Sequence, residues 1–280
     1  MDQVAEDFTA PLGDRWHLAC PGGGTCAVSE GMLRCAIPQT PVGRYANAQI
    51  DDYEGRRARG FFWRPPLRME VRARTSLPVH PGSVPADARV DGRPQRYLRG
   101  TVGFGFWNAP MTVAGGGLRL PAAVWFFGAS PPSEMRLVPG QPGRGWKAQV
   151  VNTRWTHTLA LGLPALAGAG WARLTGREAW MSRLVQRVTG AVEVEQERLA
   201  ARATEWHDYA LEWRRDAAVF WVDGVEVLRA ANPPRGPLGF VAWVDNQYAV
   251  ATPRGVLKFG TLATDAEWLE LDMVRLTPLH

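Results

Sequence analysis

Apolar and polar residues alternate along much of this chain, and the alternation predicts strands. In Leu67–Thr75, Leu67, Met69, Val71 and Ala73 share one face, with Arg68, Glu70, Arg72 and Arg74 on the other. Tyr209, Leu211 and Trp213 likewise alternate with Asp208, Ala210 and Glu212. Successive side chains on a strand point to opposite faces, so each such segment buries one face and wets the other. The same reading predicts strands at Arg15–Cys20, Thr25–Ser29, Met32–Ile37, Thr101–Trp107, Ala122–Phe127 and Trp146–Asn152. It continues with Val192–Arg198, Ala218–Val222, Val225–Arg229, Leu238–Val244 and Trp268–Leu276. Asp223-Gly224, between two of these runs, is a strong hairpin signal because both residues tolerate positive φ.

Other stretches lack the alternation. Tyr45–Gly60 is polar and reads as a loop, and Leu77–Gly100, rich in Pro and Gly, reads as a long surface loop. Ala109–Pro121 carries a Gly115-Gly116-Gly117 tip. In Thr153–Ala203, Trp180, Leu184 and Val188 recur at helical spacing, which predicts a largely helical insertion over about residues 155–190. Its role is either a lid or buttress on the strands, or partner or membrane contact through Arg173, Arg177, Arg183 and Arg187.

The run Glu205–Val227 (EWHDYALEWRRDAAVFWVDGVEV) resembles a W-H-x-Y-x-L-E-W … W-V-D-G pattern. That pattern belongs to laminarinase-type, family 16-like glycoside hydrolases of the concanavalin A-like lectin/glucanase superfamily. Two further stretches, DFTAPLGDRWHL…GMLRCAIP and EWLELDMVRL, resemble the opening and closing strands of the same superfamily. The resemblance implies one all-β domain over residues 1–280. It would be a jelly-roll β-sandwich of two antiparallel sheets with a concave face, interrupted by the insertion at 153–203.

The resemblance also places the chemistry, and there the chain departs from it. These enzymes carry E-x-D-x-x-E on the strand after the Phe-Trp strand, and retaining hydrolysis needs its two carboxyls about 5–5.5 Å apart. The matching segment, Pro121–Gly128, is PAAVWFFG and holds no carboxylate. The expected function is therefore carbohydrate or glycoside binding on the concave face, without laminarinase-type catalysis. Two alternatives stay open: an enzyme built on other carboxylates, with Glu134, Asp245 and Asp52 as candidates, and an interaction domain with no ligand.

Glycine and aromatic positions suit sugar binding. Gly103, Gly105 and Trp107 share one face of their strand, with Phe104 and Phe106 on the face between the sheets. Val241, Trp243, Asp245 and Gln247 likewise oppose Phe240, Ala242 and Val244. Apolar sugar faces stack on indole rings, and hydroxyls need polar partners. The predicted ligand contacts are Trp107, Asn108, Trp125, Trp243, Asp245, Asn246 and Gln247, with Glu134 and His157 overhanging the same face. No catalytic set, cofactor site or metal site is legible.

Composition narrows the picture further. The 280 residues include 13 Trp, 30 Gly and 22 Pro, a mix suited to many short strands and turns. The net charge of +5 comes from 32 Lys+Arg against 27 Asp+Glu, and Lys147 and Lys258 are the only lysines. The arginines are scattered apart from the Arg56–Arg59 cluster, which argues against a nucleic-acid footprint. No apolar run is long enough for a membrane span. The N-terminal residues read as no signal peptide, which predicts a cytoplasmic protein, or a secreted one if a leader has been removed. Cys20, Cys26 and Cys35 are open to three readings: free buried thiols, a Cys20–Cys35 or Cys20–Cys26 bridge, or a metal site.

Overall fold

The computed structural model describes residues 3–54, 60–82, 89–90, 93–94, 96–108, 121–135, 138, 141–153, 192–251 and 257–279. In chain order the strands are β1 (Val4–Glu6), β2 (His17–Ala19), β3 (Thr25–Ser29), β4 (Met32–Ile37) and β5 (Asn47–Asp51). They continue as β6 (Leu67–Thr75), β7 (Arg89–Val90), β8 (Arg93–Pro94), β9 (Thr101–Trp107) and β10 (Ala122–Ala129). Next come β11 (Glu134–Met135), β12 (Gly145–Thr153), β13 (Val192–Arg198), β14 (His207–Trp213) and β15 (Ala217–Val222). The last are β16 (Val225–Ala231), β17 (Gly239–Asp245), β18 (Gln247–Ala251), β19 (Leu257–Thr261) and β20 (Glu267–Pro278).

Two large antiparallel sheets make a sandwich. One runs β16-β15-β14-β6-β20-β4-β3, with β1 paired to β20, and the other is seven-stranded, β13-β12-β10-β9-β17-β5-β2. Their inner faces form a core in which the two sheets meet ring to ring. Phe104 and Phe126 meet Tyr209 at centroid distances of 5.1 and 4.9 Å, and Phe106 meets Trp213 at 5.6 Å. Phe104, Phe106, Phe240, Leu211 and Trp213 have no exposed surface, and Tyr209 is 2% exposed. The predicted alternation thus holds on both sheets. The β15–β16 hairpin turns at Asp223 and Gly224 with φ of 50° and 78°, as the Asp-Gly signal requires.

The structure corrects part of the predicted layout. Residues 45–60 are not all loop: β5 lies within them, between β17 and β2. Its Ala48 and Ile50 are buried in the core while Asn47, Gln49 and Asp51 alternate with them. A short third sheet, β11-β18-β19, was not predicted, and β7 and β8 pair inside the proline-rich 77–100 segment. The predicted helical insertion at 155–190, His157 and the Arg56–Arg59 cluster lie outside the described residues. Among the described residues no helix is long and apolar enough to cross a membrane.

All three cysteines are free. Their closest approach is between Cys26 and Cys35, cross-strand partners on β3 and β4 with sulfurs 3.0 Å apart, a pair not among the predicted bridges. Cys20 lies 3.7 Å from Cys26.

Candidate functional site

Residues directly opposite one another in an antiparallel pair project to the same side of the sheet, so strand register defines the outer face of the seven-stranded sheet. One row runs Gln196, Gln149, Trp125, Gly105, Val241, Asp51, His17. The next runs Arg198, Lys147, Phe127, Gly103, Trp243, Gln49, Ala19. On the other side of the first row, Ala123 stands between Val151 and Trp107.

The middle of this face is aromatic. Trp125 stacks on Trp107 at 5.9 Å and on Phe127 at 5.3 Å, with interplanar angles of 28° and 20°. Trp243 tilts against Trp125 at 5.3 Å. Glycine makes this crowding possible. Gly105 has φ +143°, and a Cβ there would stand 2.6 Å from the Trp125 Cα. Each indole N–H is held: Trp107 donates to the Tyr53 hydroxyl at 3.0 Å, Trp125 to Gln149 Oε1 at 2.9 Å and Trp243 to Thr101 Oγ1 at 2.9 Å. The rings pack against one another and are held in place, so the apolar surface they offer is the part of Trp107 and Trp125 left uncovered. Trp107 and Trp125 remain partly exposed, while Trp243 and Phe127 are buried at 8% and 4% exposure.

Polar groups flank the platform on both sides. Toward β2, the buried Asp51 carboxyl takes a hydrogen bond from Gln49 Nε2 at 2.9 Å and faces His17 Nδ1 at 3.0 Å. The imidazole is partly exposed, and Glu54 lies 3.9 Å from the same nitrogen. The Tyr53 hydroxyl joins this group by accepting from Gln49 Nε2 at 3.2 Å. Burial, then the neighbouring Asp51 charge, pushes the Tyr53 phenol well above its usual range. Toward β13, Gln149 Nε2 donates to Gln196 Oε1 at 2.9 Å, and Lys147 Nζ donates to the same oxygen at 3.3 Å and to Pro142 O at 2.9 Å. Burial pulls the Lys147 ammonium down to about 8.

The predicted site residues divide sharply. Trp107, Trp125 and Trp243 come together. Asp245 and Asn246 are buried, and their side chains are bonded within the protein. Asp245 Oδ1 accepts from Thr101 N at 3.0 Å, Thr101 Oγ1 at 2.8 Å and Gln247 N at 3.1 Å, and burial pushes its carboxyl up to about 6. Asn246 is wholly buried; it accepts from Ala46 N and donates to Arg44 O and Leu262 O. Gln247 is exposed but starts β18 in the small sheet, so Asp245 and Gln247 do not share one strand face. Asn108 is buried, and its Oδ1 accepts from Ala122 N at 3.1 Å, extending the β9–β10 pairing.

The carboxylate candidates are also committed elsewhere. Glu134 Oε1 accepts from Gly143 N at 2.7 Å and its Oε2 pairs with Arg144 at 3.2 Å. Asp52 is buried, accepts from Trp63 Nε1 at 2.5 Å and Phe240 N at 2.8 Å, and is pushed up to about 6 by that burial. The outward side chains of β10 are Ala123, Trp125, Phe127 and Ala129, none of them an acid or base. Sequence reasoning missed Asp51, Gln49, Tyr53 and His17, and also Lys147, Gln149 and Gln196. The alternation of Asn47, Gln49 and Asp51 around Ala48 and Ile50 was the available signal for β5, and Gln149 and Gln196 each interrupt a strand otherwise readable as core or edge.

No protein-family model matches the chain, and no curated protein is significantly similar to it. Solved structures are. A β-1,3-1,4-glucanase (lichenase) from a mouse hindgut metagenome superposes with a TM-score of 0.52 over 100% of both chains at 15% identity. The laminarinase catalytic domain of Thermotoga maritima matches at TM-score 0.52 and 11% identity, over 99% of this chain and 97% of that one. An endo-β-1,4-glucuronan lyase from Trichoderma reesei matches at TM-score 0.51 and 13% identity, over 99% of this chain and 95% of that one. The protein has the concanavalin A-like β-sandwich fold of these glycan-acting enzymes. At these identities the likeness establishes the fold and leaves the chemistry to the site.

Proposed function

We propose that the protein binds carbohydrate on the outer face of its seven-stranded sheet and does not cleave it by the laminarinase-type mechanism. The observation that carries the reading is the fixed cluster Trp107–Trp125–Phe127–Trp243, set over glycines and flanked by polar groups. Sugar sites combine apolar platforms with a few oriented polar partners, and both are present here. The neighbours by fold act on glycans, which supports a carbohydrate ligand in general terms. Against hydrolysis stands β10, whose outward positions offer neither nucleophile nor acid where a retaining enzyme needs two carboxyls about 5–5.5 Å apart. A glycan array followed by a reducing-sugar assay on whatever binds tests both halves. Saturable binding without new reducing ends is expected; release of reducing ends from β-1,3- or β-1,4-glucan contradicts the proposal.

A second reading has one observation in its favour. His17 is partly exposed and its Nδ1 is held by the buried Asp51 carboxyl at 3.0 Å, the arrangement of a positioned general base. An enzyme using this pair would show turnover on a glycan that His17→Ala abolishes.

A further inference from the structure

One end of this face holds more hydrogen-bond donors than acceptors. Gln196 is 5% exposed, and its Oε1 accepts from both Gln149 Nε2 and Lys147 Nζ. That double acceptance fixes the orientation of the amide, since the flipped group would turn its NH2 against two donors. Gln196 Nε2 therefore points away from them, buried and without a partner among the described residues. Arg144 Nε is a second buried donor with no acceptor among the described residues, although the same guanidinium pairs with Glu134 through another nitrogen. Both belong to one corner, because Lys147 Nζ reaches Pro142 O in the segment leading to Arg144.

Charge in the corner is unbalanced in the same direction. Lys147, Arg144 and Arg198 are cations, and the carboxylate acting on Lys147 is Glu134, already held by Gly143 N and Arg144. Lys147 and Arg198 are direct partners on β12 and β13. A buried N–H without an acceptor is costly, and the group that relieves both this and the excess positive charge is an anionic oxygen. The corner adjoins the aromatic platform without a break, from Trp125 Nε1 through Gln149 and Gln196 to Lys147.

We infer that the β12–β13 end of the face recognises the carboxylate of an acidic sugar, so that the ligand is a uronate-containing glycan with one ring stacked on the indoles. Gln196 Nε2 donates to a carboxylate oxygen, and Lys147, Arg144 and Arg198 supply the surrounding positive field. This assignment rests on the reading of the face as a carbohydrate site.

The test is calorimetric titration of the whole chain with a polyuronate oligosaccharide and with its neutral hexose counterpart, for the parent and three variants. Gln196→Glu keeps the Oε1 acceptor for Gln149 and Lys147, but it removes the orphan donor and adds a repelling charge; a thermal melt checks that it folds. Lys147→Met removes the cation. Arg275→Ala removes an exposed cation from the opposite sheet. The expected result is preference for the polyuronate, at least about tenfold weakened by Gln196→Glu and by Lys147→Met, the scale of one lost charge-assisted bond, and unchanged by Arg275→Ala. If Lys147→Met does not fold, Gln196→Glu decides alone. Equal or better binding of the neutral sugar, with Gln196→Glu indifferent, overturns the inference and leaves the carbohydrate reading standing. Polyuronate binding weakened equally by Arg275→Ala shows diffuse charge attraction and also overturns it. Binding of neither sugar, nor of any other glycan, removes the reading beneath it.

Discussion

The indole of Trp243 lies directly over the backbone of Gly103. A Cβ at position 103 would stand 2.8 Å from Trp243 Cη2 and 2.4 Å from the Phe126 carbonyl oxygen, so the ring occupies the space that any other residue would fill. Trp243 is held there by its hydrogen bond to Thr101. Gly103→Ala should therefore displace either the ring or the β9–β10 pairing. Overpacking of this kind costs about 1–3 kcal/mol. Thermal melts should show that loss, and glycan affinity should fall with it. A variant with unchanged melting and unchanged binding would mean that the ring moves freely and is not a fixed platform.

Trp213 is a test of the core rather than the site. It has no exposed surface, meets Phe106 at 5.6 Å and donates to Pro234 O at 2.8 Å. Trp213→Ala should destabilise the fold by about 3–5 kcal/mol in denaturant titrations. Since Trp213 lies between the sheets, binding on the outer face should persist wherever the variant remains folded.

Glu267 gives the stability curve a direction. Its two oxygens accept from Arg99 N at 3.1 and 3.2 Å, and burial pushes its carboxyl up to about 7. In the unfolded chain a glutamate ionises at about 4.3, so between that pH and 7 the folded chain keeps a proton that the unfolded chain releases. Stability from this group is thus full at low pH and declines as pH rises through that window. Asp52 and Asp245, both raised by burial, act in the same sense. Glu267→Gln stays neutral throughout. Its melting temperature relative to the parent should rise steadily from pH 4 to pH 8, and a constant difference would contradict the assignment.

The cysteines make a prediction about oxidation. Cys26 stands between Cys35 at 3.0 Å and Cys20 at 3.7 Å. Treatment with glutathione disulfide should couple Cys26 to Cys35 and leave Cys20 as the free thiol in peptide mapping. In Cys35→Ser, the bridge should move to Cys20–Cys26. A Cys20–Cys35 bridge in the parent would contradict the packing of these strands.

Much of the sandwich is legible in the sequence because its strands each bury one face, and Leu67–Ala73 or Tyr209–Trp213 show that in their alternation. What was not legible depends on partners far away along the chain. Asp245-Asn246 breaks an apolar strand and so looks like a ligand group, but its partners Thr101, Ala46 and Leu262 only meet it after folding. Asn47–Asp51 alternates over only five residues inside a polar stretch, a weak signal for a strand, yet it brings Asp51 to His17. The indoles were legible as candidates; their stacking was not, because it depends on the register of β9, β10 and β17.

The central claim is that the indole platform is the ligand contact, and Trp125 is its centre. Calorimetric titration of the parent and Trp125→Ala with a glycan that the parent binds, alongside thermal melts of both, tests it. Trp125 packs on Trp107, Phe127 and Trp243 outside the core between the sheets, so its removal should lower melting but leave the sandwich folded, while the loss of one stacking ring should weaken binding by about 0.5–1.5 kcal/mol, roughly two- to 13-fold. Full affinity in a folded Trp125→Ala would show that the ligand lies elsewhere and contradict the account.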